Sequence, residues 1–413
     1  MNQTKSLELL ERAKKVIPGG TQTLSKMYGR LPQGIAPAFI FHGKGSHIWD
    51  VDGNEYIDWS GALGPVTLGY DFFFPDSRSC SLPMPDRGEV ELAEKMVEVI
   101  PCAEMVRFFK TGSDATSAAV RLCRAVTGRQ MVLCCGYHGW HDWYASTLPL
   151  PRSKGTRGEY VDKVDYSSLE KLVSLVYEIT PACIIMEPMN RQCPEKASKE
   201  YLQEIRNLCD QYQVPLIFDE IIMGYRYALA GGQEYYGVIP DLACYSKGMA
   251  NGWPISALVG KREIMEQIAE LQVSGTYFCD TISIEMALKT LKFYQAEPVI
   301  DHLWKVGDFL KKNIDDLILA HKLEDHVRLK GFGPWSSFVW NDFDEENLFM
   351  QEIFRRGIFY NRDHFAMYSH TQEDVDKTLD IYAKAFEIVR YCIEKDTIKS
   401  AIKYSMDRRL FPK

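Results

Sequence analysis

The sequence predicts an α/β protein whose larger part is a mostly parallel sheet covered by helices, with a smaller α/β domain beside it. Three observations carry this. Between about residues 89 and 260, short apolar runs alternate with amphipathic helical stretches. Runs such as Met131–Cys135 and Cys183–Met186 are continuously apolar, as strands buried on both faces require. The length of 413 residues suits two domains and is short for three.

Taken in order, the first element is an amphipathic helix from about Ser6 to Ile17, stopped by Pro18-Gly19-Gly20. His47–Val51 and Glu55–Trp59 flank Asp52-Gly53-Asn54 and read as a β-hairpin. The Gly- and Pro-rich stretch 60–88 reads as irregular. Helix Val90–Ile100, strand Met105–Phe109, helix Asp114–Val126 and strand Met131–Cys135 follow. Then come helix Tyr166–Tyr177, strand Cys183–Met186, helix Lys199–Tyr212 and the strands Leu216–Phe218, Leu242–Tyr245 and Ser256–Val259. Beyond residue 281 the chain is mainly helical, at 283–294, 298–320, 345–356 and 372–394, with strands at Ser336–Trp340 and Gly357–Tyr360. The tail from Ile393 reads as a solvated helix. The expected divisions are 1–60 (part of the small domain), 61–280 (the large domain) and 281–413 (a helical segment and the rest of the small domain).

Composition narrows the function. The 48 basic and 56 acidic side chains give a net charge of −8, which offers no footprint for nucleic acid. No apolar run approaches the roughly 20 residues of a membrane span, and the charged N-terminal helix does not read as a signal peptide. Eleven cysteines, an odd number with no CxxC and mostly inside apolar runs, fit free thiols in a reducing cytoplasm. His138 and His141 have no evident third metal ligand, so no metal is expected.

In sheets of this kind ligands gather at the carboxyl ends of the strands, and three such ends carry unusual residues. Phe109–Ala115 places Gly112-Ser113 at a helix N-terminus, where bare amides and the positive dipole end suit a phosphate; an ordinary N-cap is the competing explanation. Ile217-Phe218-Asp219-Glu220 ends an apolar strand in two carboxylates. Tyr245-Ser246-Lys247 puts a lysine directly after another strand, a candidate Schiff-base nucleophile or a solvated loop lysine. Together, in that chain order, a phosphate cup, a carboxylate and a strand-end lysine describe a site for pyridoxal 5'-phosphate (PLP).

Six motifs extend the pattern: Trp49–Asp58, Thr111–Ala115, Tyr137-His138-Gly139, Ile185–Pro188, Phe218-Asp219-Glu220 and Ser246–Gly252. With them the sequence resembles the class III (ω-type) PLP-dependent aminotransferases, including glutamate-1-semialdehyde aminomutase, from Ile17 to about Val389. The resemblance implies fold type I and a homodimer with shared active sites. It further implies transfer of an amino group from an amino-acid donor to an aldehyde or ketone. It assigns Lys247 to the Schiff base and to proton movement, and Asp219 to the pyridine nitrogen. Gly112 and Ser113 match the phosphate cup, Tyr137 the aromatic that stacks on the ring, and Ile221 the support of its other face. Thr276 matches a threonine reaching the neighbouring subunit's cofactor phosphate. Lys26 falls near the aminomutases' substrate-carboxylate arginine. With Trp140 and Glu187 it completes the expected substrate-facing set, and Trp143 and Tyr144 would extend an aromatic wall. Glu220 is expected near the ring without an assigned role.

The sequence also departs from its relatives. About one helix is missing near Tyr70–Ser81, Ile222 is apolar where many relatives are polar, and Arg152–Gly155 stands where aminomutases carry a glycine-rich gating loop. The lysine at position 26 and the absent loop favour transfer between molecules. An intramolecular aminomutase and a catalytically impaired PLP-binding protein stand as alternatives.

Overall fold

A computed structural model describes residues 2–76, 80–158, 160–191 and 193–410. One compact unit runs from Phe73 to Ile300; the other comprises the chain up to Phe72 and from Asp301 onward. The expected divisions at 60 and 280 lie some way from these. Segment 61–72 stays with the hairpin because Tyr70 bridges Gly45 and its hydroxyl donates to Asp58 at 2.7 Å. Helix Thr281–Ala296 stays with the larger unit because it packs on helix Arg87–Val99.

The larger unit is built on seven strands. They are β1 (Met105–Phe109), β2 (Val132–Cys135), β3 (Val161–Lys163), β4 (Cys183–Met186), β5 (Leu216–Asp219), β6 (Leu242–Tyr245) and β7 (Ser256–Gly260). Their order across the sheet is β1-β7-β6-β5-β4-β2-β3. Strands β3, β2, β4, β5 and β6 pair in parallel, and β7 runs antiparallel to both β6 and β1. The six strands other than β7 therefore end on one edge. The uninterrupted apolar runs have a direct cause. Val132, Cys134, Ile185, Ile217 and Cys244 pack in one cluster with helix Gly112–Thr127, while the alternate residues Leu133, Ile184, Leu216, Phe218 and Ala243 are equally buried. Strand β3 was not anticipated: Val161-Asp162-Lys163 is a partly exposed edge strand with no apolar run to betray it.

In the smaller unit the expected hairpin forms, with Ile48 opposite Tyr56, and gains Ile40–Lys44 on one side and Ile358–Phe359 on the other. A second sheet orders Val327–Phe332, Trp335–Trp340 and His364–Phe365. The tail departs from the solvated helix expected of it. Beyond the short helix Ile398–Ala401 it is a strap. Gln351 Oε1 accepts from Lys403 N and Tyr404 N at 2.7 and 3.0 Å, Asn347 Oδ1 accepts from Met406 N at 3.2 Å, and Met406 is buried. Side-chain amides on helix Phe343–Arg355 thus replace the helical ladder.

One clamp in this unit is pH-sensitive. His47 Nδ1 meets Glu55 Oε1 at 2.7 Å and Nε2 meets Asp374 Oδ1 at 2.7 Å. Donating from both nitrogens requires the imidazolium. The hydrogen bond to Asp374 raises the His47 pKa most, and Glu55 adds to it. Burial alone would raise the Asp374 carboxyl, but bonds from His47, Thr371 and Ser46 hold it well below the usual range. The His47 contribution is complete below its ordinary pKa and disappears as pH rises through its elevated folded-state value. The Asp374 contribution is complete above the ordinary carboxylate pKa and disappears in stronger acid. His47→Gln is therefore expected to lower stability by about 1 kcal/mol near pH 5.5, and by much less at pH 9. Thermal melts at the two pH values check this, and equal losses at both would contradict it.

Candidate active site

The strand ends gather most of the expected residues on one edge of the sheet. Strand β1 leads through Lys110 and Thr111 into helix Gly112–Thr127. Thr111 caps this helix with Asp114 in a capping box: Asp114 N donates to Thr111 Oγ1 at 3.2 Å, and Thr111 N to Asp114 Oδ2 at 2.8 Å. This arrangement turns the Asp114 carboxylate back onto the cap. It also leaves the Gly112 and Ser113 amides outside the box, facing whatever lies beyond the helix end. Lys110 is not a ligand for that space, because its ammonium is ion-paired with Asp280 and donates to Pro254 O at 3.0 Å.

Glycines keep the edge open. A Cβ at Gly112 would lie 2.5 Å from Ile221 Cδ1, so only glycine lets Ile221 pack against the cup. Gly139, at φ +103°, presses its backbone on Ser113, whose hydroxyl accepts from Trp140 N at 3.4 Å.

The centre is a buried pair. His138 Nδ1 lies 2.8 Å from Asp219 Oδ2, and their side chains are 0% and 4% exposed. Asp219 Oδ1 accepts from Ile221 N at 3.2 Å. His138 Nε2 is buried with no hydrogen-bond partner among the described residues. With Asp219 ionised, the shared proton sits on His138 Nδ1, which leaves an acceptor-rich carboxylate pointing from β5 with its orientation fixed. From the sequence His138 stood in a motif and was set aside as a metal ligand, without an assigned role; in the structure it is the partner of Asp219. A buried histidine in the loop after a strand needs a polar partner, and that need was the available signal.

Lys247 follows β6, which pairs with β5 so that Cys244 lies opposite Asp219. It takes φ +44°, a left-handed conformation that costs a side-chain-bearing residue about 1–2 kcal/mol. Such local strain concentrates at functional positions.

Glu187, after β4, is half-buried; its Oε2 accepts from Tyr137 N and Asn190 Nδ2, both at 3.2 Å. Burial and then the Asp219 charge push its carboxyl up to about 7. Glu220 does not face this edge. Adjacent to Asp219 but on the opposite side of the chain, it is fully buried and accepts from Gly232 N at 2.7 Å and Gln233 N at 2.8 Å. Burial pushes it up to about 8.

Tyr137 and Trp140 are 62% and 70% exposed. Trp143 and Tyr144 are not part of an open wall. Trp143 Nε1 donates to Ser117 Oγ at 2.9 Å, and Tyr144, which is buried, donates to Gly136 O at 2.9 Å. His141 Nδ1 meets the same Ser117 hydroxyl at 2.7 Å. Thr276 is exposed in a turn of this unit, and its hydroxyl makes no hydrogen bond among the described residues. Lys26 belongs to the other unit, exposed on the short turn Leu24–Lys26, where its charge acts on Asp58. Among the described residues no group of three or more metal-ligating side chains occurs, and no helix is long and apolar enough to cross a membrane. The departure expected at Tyr70–Ser81 lies partly outside the described residues. Arg152–Gly155 forms a turn, with Arg152 N donating to Pro149 O at 3.0 Å and Lys154 N to Pro151 O at 3.1 Å.

A parallel sheet with one reversed strand, a glycine-lined cup, a buried carboxylate and a strand-end lysine on one edge fit PLP, which needs an anion cradle for its phosphate, a negative group for its ring nitrogen and an amine for its aldehyde. The class defined is the fold type I PLP-dependent transferases. Residues 78–386 match Aminotransferase class-III, and the chain belongs to that family. It is 32% identical over 412 residues to the 3-aminobutyryl-CoA aminotransferase of Cloacimonas acidaminovorans, covering 94% of this chain and 97% of that protein. It is also 32% identical to the glutamate-1-semialdehyde 2,1-aminomutase of Chlorobium phaeobacteroides, covering 94% and 99%. The solved FumI protein of Sphingopyxis sp. MTA144, in its PLP internal aldimine form, superimposes with a TM-score of 0.87. It is 26% identical over 99% of this chain and 100% of that one. The protein is a PLP-dependent enzyme of the aminotransferase type.

Proposed function

We propose that this enzyme moves an amino group from an amino-acid donor to a separate aldehyde or ketone acceptor. Lys247 supplies the amine for cofactor attachment and carries the proton in transfer. Asp219 holds the ring nitrogen's proton, the Gly112 and Ser113 amides bind the phosphate, and Tyr137 and Ile221 flank the ring. PLP, when bound, supplies an electron-accepting ring that stabilises negative charge on the substrate carbon. The observation that carries this reading is the buried His138–Asp219 pair at 2.8 Å, because a carboxylate so fixed and shielded holds a proton on a facing nitrogen far better than an exposed one would.

The chain's own groups divide the remaining work. Lys247 lies beyond the strand neighbouring Asp219, so one chain segment serves both attachment and proton transfer. Trp140, pinned by its backbone to Ser113 with its ring exposed, offers a flat surface to substrate. Glu187 has no substrate role in this proposal, because its Oε2 is occupied inside the protein.

Two further parts of the proposal are that the enzyme is a homodimer and that it works in the cytoplasm. The exposed Thr276 and its exposed neighbour Tyr277 support the first, as groups that a second copy would cover. Eleven cysteines that form no disulfide among the described residues support the second.

The test is spectral. Adding an amino donor alone to the purified enzyme should shift the bound cofactor's visible band, and adding a carbonyl acceptor should restore it. An unchanged spectrum with all common donors, alongside turnover of a single amino-aldehyde without a donor, would favour the intramolecular alternative.

A further inference from the structure

The turn that carries Tyr137 is held from two sides. Gly136 takes φ +123°, and a Cβ there would collide with the Glu187 carboxylate. Its carbonyl accepts from the buried Tyr144 hydroxyl at 2.9 Å. The next amide, Tyr137 N, donates to Glu187 Oε2 at 3.2 Å, and Asn190 Nδ2 steadies the same oxygen at 3.2 Å. The Glu187 backbone is tied in as well, its N donating to Cys135 O at 3.2 Å. The Tyr137 ring meets Tyr144 edge-on at 5.5 Å. The Glu187 carboxylate and the Tyr144 side chain together set where the exposed Tyr137 ring stands. The charged and titratable groups around it are Asp219 from β5, His138 and Tyr137 from the loop after β2, Tyr144, and Lys247 from the loop after β6.

We propose that Glu187 is a positioning residue of the cofactor pocket: its carboxylate fixes the Gly136–Tyr137 turn and its charge acts on Lys247, so that it serves the cofactor from within the protein and does not bind substrate. This rests on the reading of Lys247, Asp219 and Tyr137 as cofactor residues. It differs from the sequence expectation, which placed Glu187 against substrate. Burial and Asp219 oppose charge on Glu187, whereas His138, the Tyr137 amide and Lys247 favour it. Its charge is therefore half present near pH 7 and complete only well above it, where it bears on Lys247.

Full-length apoprotein of the wild type, Glu187→Gln and Glu187→Ala would be titrated with PLP and followed by visible absorbance across pH. Glutamine retains an oxygen for Tyr137 N, so its cofactor affinity should stay within about threefold of wild type, whereas alanine should weaken it about tenfold or more. Removing the charge should lower the pH midpoint of the bound cofactor's spectrum by roughly half a unit or more in Glu187→Gln. Donor KM in that variant should stay within about twofold. Should the alanine variant fail to fold, the glutamine variant alone decides through its midpoint and KM. An unchanged midpoint in Glu187→Gln, wild-type affinity in a folded Glu187→Ala, or a tenfold rise in donor KM with an unchanged cofactor titration would overturn the proposal. A wild-type protein that develops no lysine-attached band would instead overturn the site reading beneath it.

Discussion

Lys247→Ala is expected to give a folded protein that carries no covalently attached cofactor and whose turnover falls by about 10³-fold or more. The loss should be this large because, in the proposed function, one side chain serves both attachment and proton transfer, and Lys110, which also follows a strand on this edge, is ion-paired with Asp280. The fold should survive for a reason that can be checked. The φ of +44° at position 247 strains any residue with a Cβ, so alanine inherits the strain without adding to it. Lys247→Gly should relieve it, raising stability by up to about 1 kcal/mol while remaining inactive. Denaturant unfolding of the three proteins, with cofactor removed from all, separates the two effects. A Lys247→Ala protein that still turns over at a tenth of the wild-type rate would end the assignment.

Asp219→Asn is expected to retain cofactor and lose about 10²–10³-fold in turnover, the scale associated with removing a preorganised charge from a reacting centre. Asparagine can still accept from His138 Nδ1 and from Ile221 N, so the geometry around position 219 should hold and stability should fall by only about 1 kcal/mol. What it cannot supply is the negative charge that the proposed function sets against the ring nitrogen. The signature is thus a split result: near-normal cofactor content, a near-normal melting curve and little turnover. Comparable loss of cofactor and turnover would place Asp219 in binding alone, and normal turnover would remove it from the chemistry.

Much of this was visible in the residues because the decisive groups stand at the ends of apolar runs. Gly112-Ser113, Asp219 and Lys247 each stand at the end of an apolar stretch that reads as a strand, and strands β1, β5 and β6 fall where those stretches lie. Side-chain direction was harder to read. Asp219 and Glu220 look alike as a pair, yet successive residues leave a strand on opposite sides, so one meets His138 and the other caps Gly232 and Gln233. The role of His138 depends on a partner 81 positions away, which no local pattern encodes. Trp143 and Tyr144, expected in an open wall with Trp140, spend their polar atoms on Ser117 and Gly136. The strands Val161–Lys163 and His364–Phe365 escaped notice because each is short and takes its place from its neighbours rather than from its own apolar content. The tail was misread because its stability comes from Gln351 and Asn347 on a helix about fifty residues earlier.

The central claim is that the nitrogen of position 247 holds the cofactor. Reducing the purified enzyme with borohydride, digesting it and mapping the peptide that bears the pyridoxyl mass tests this most directly. The account predicts a single tagged peptide spanning Tyr245–Gly252, modified at Lys247. A tag on Lys110, Lys26 or any other lysine, or a cofactor-loaded enzyme that yields no tag, would contradict it.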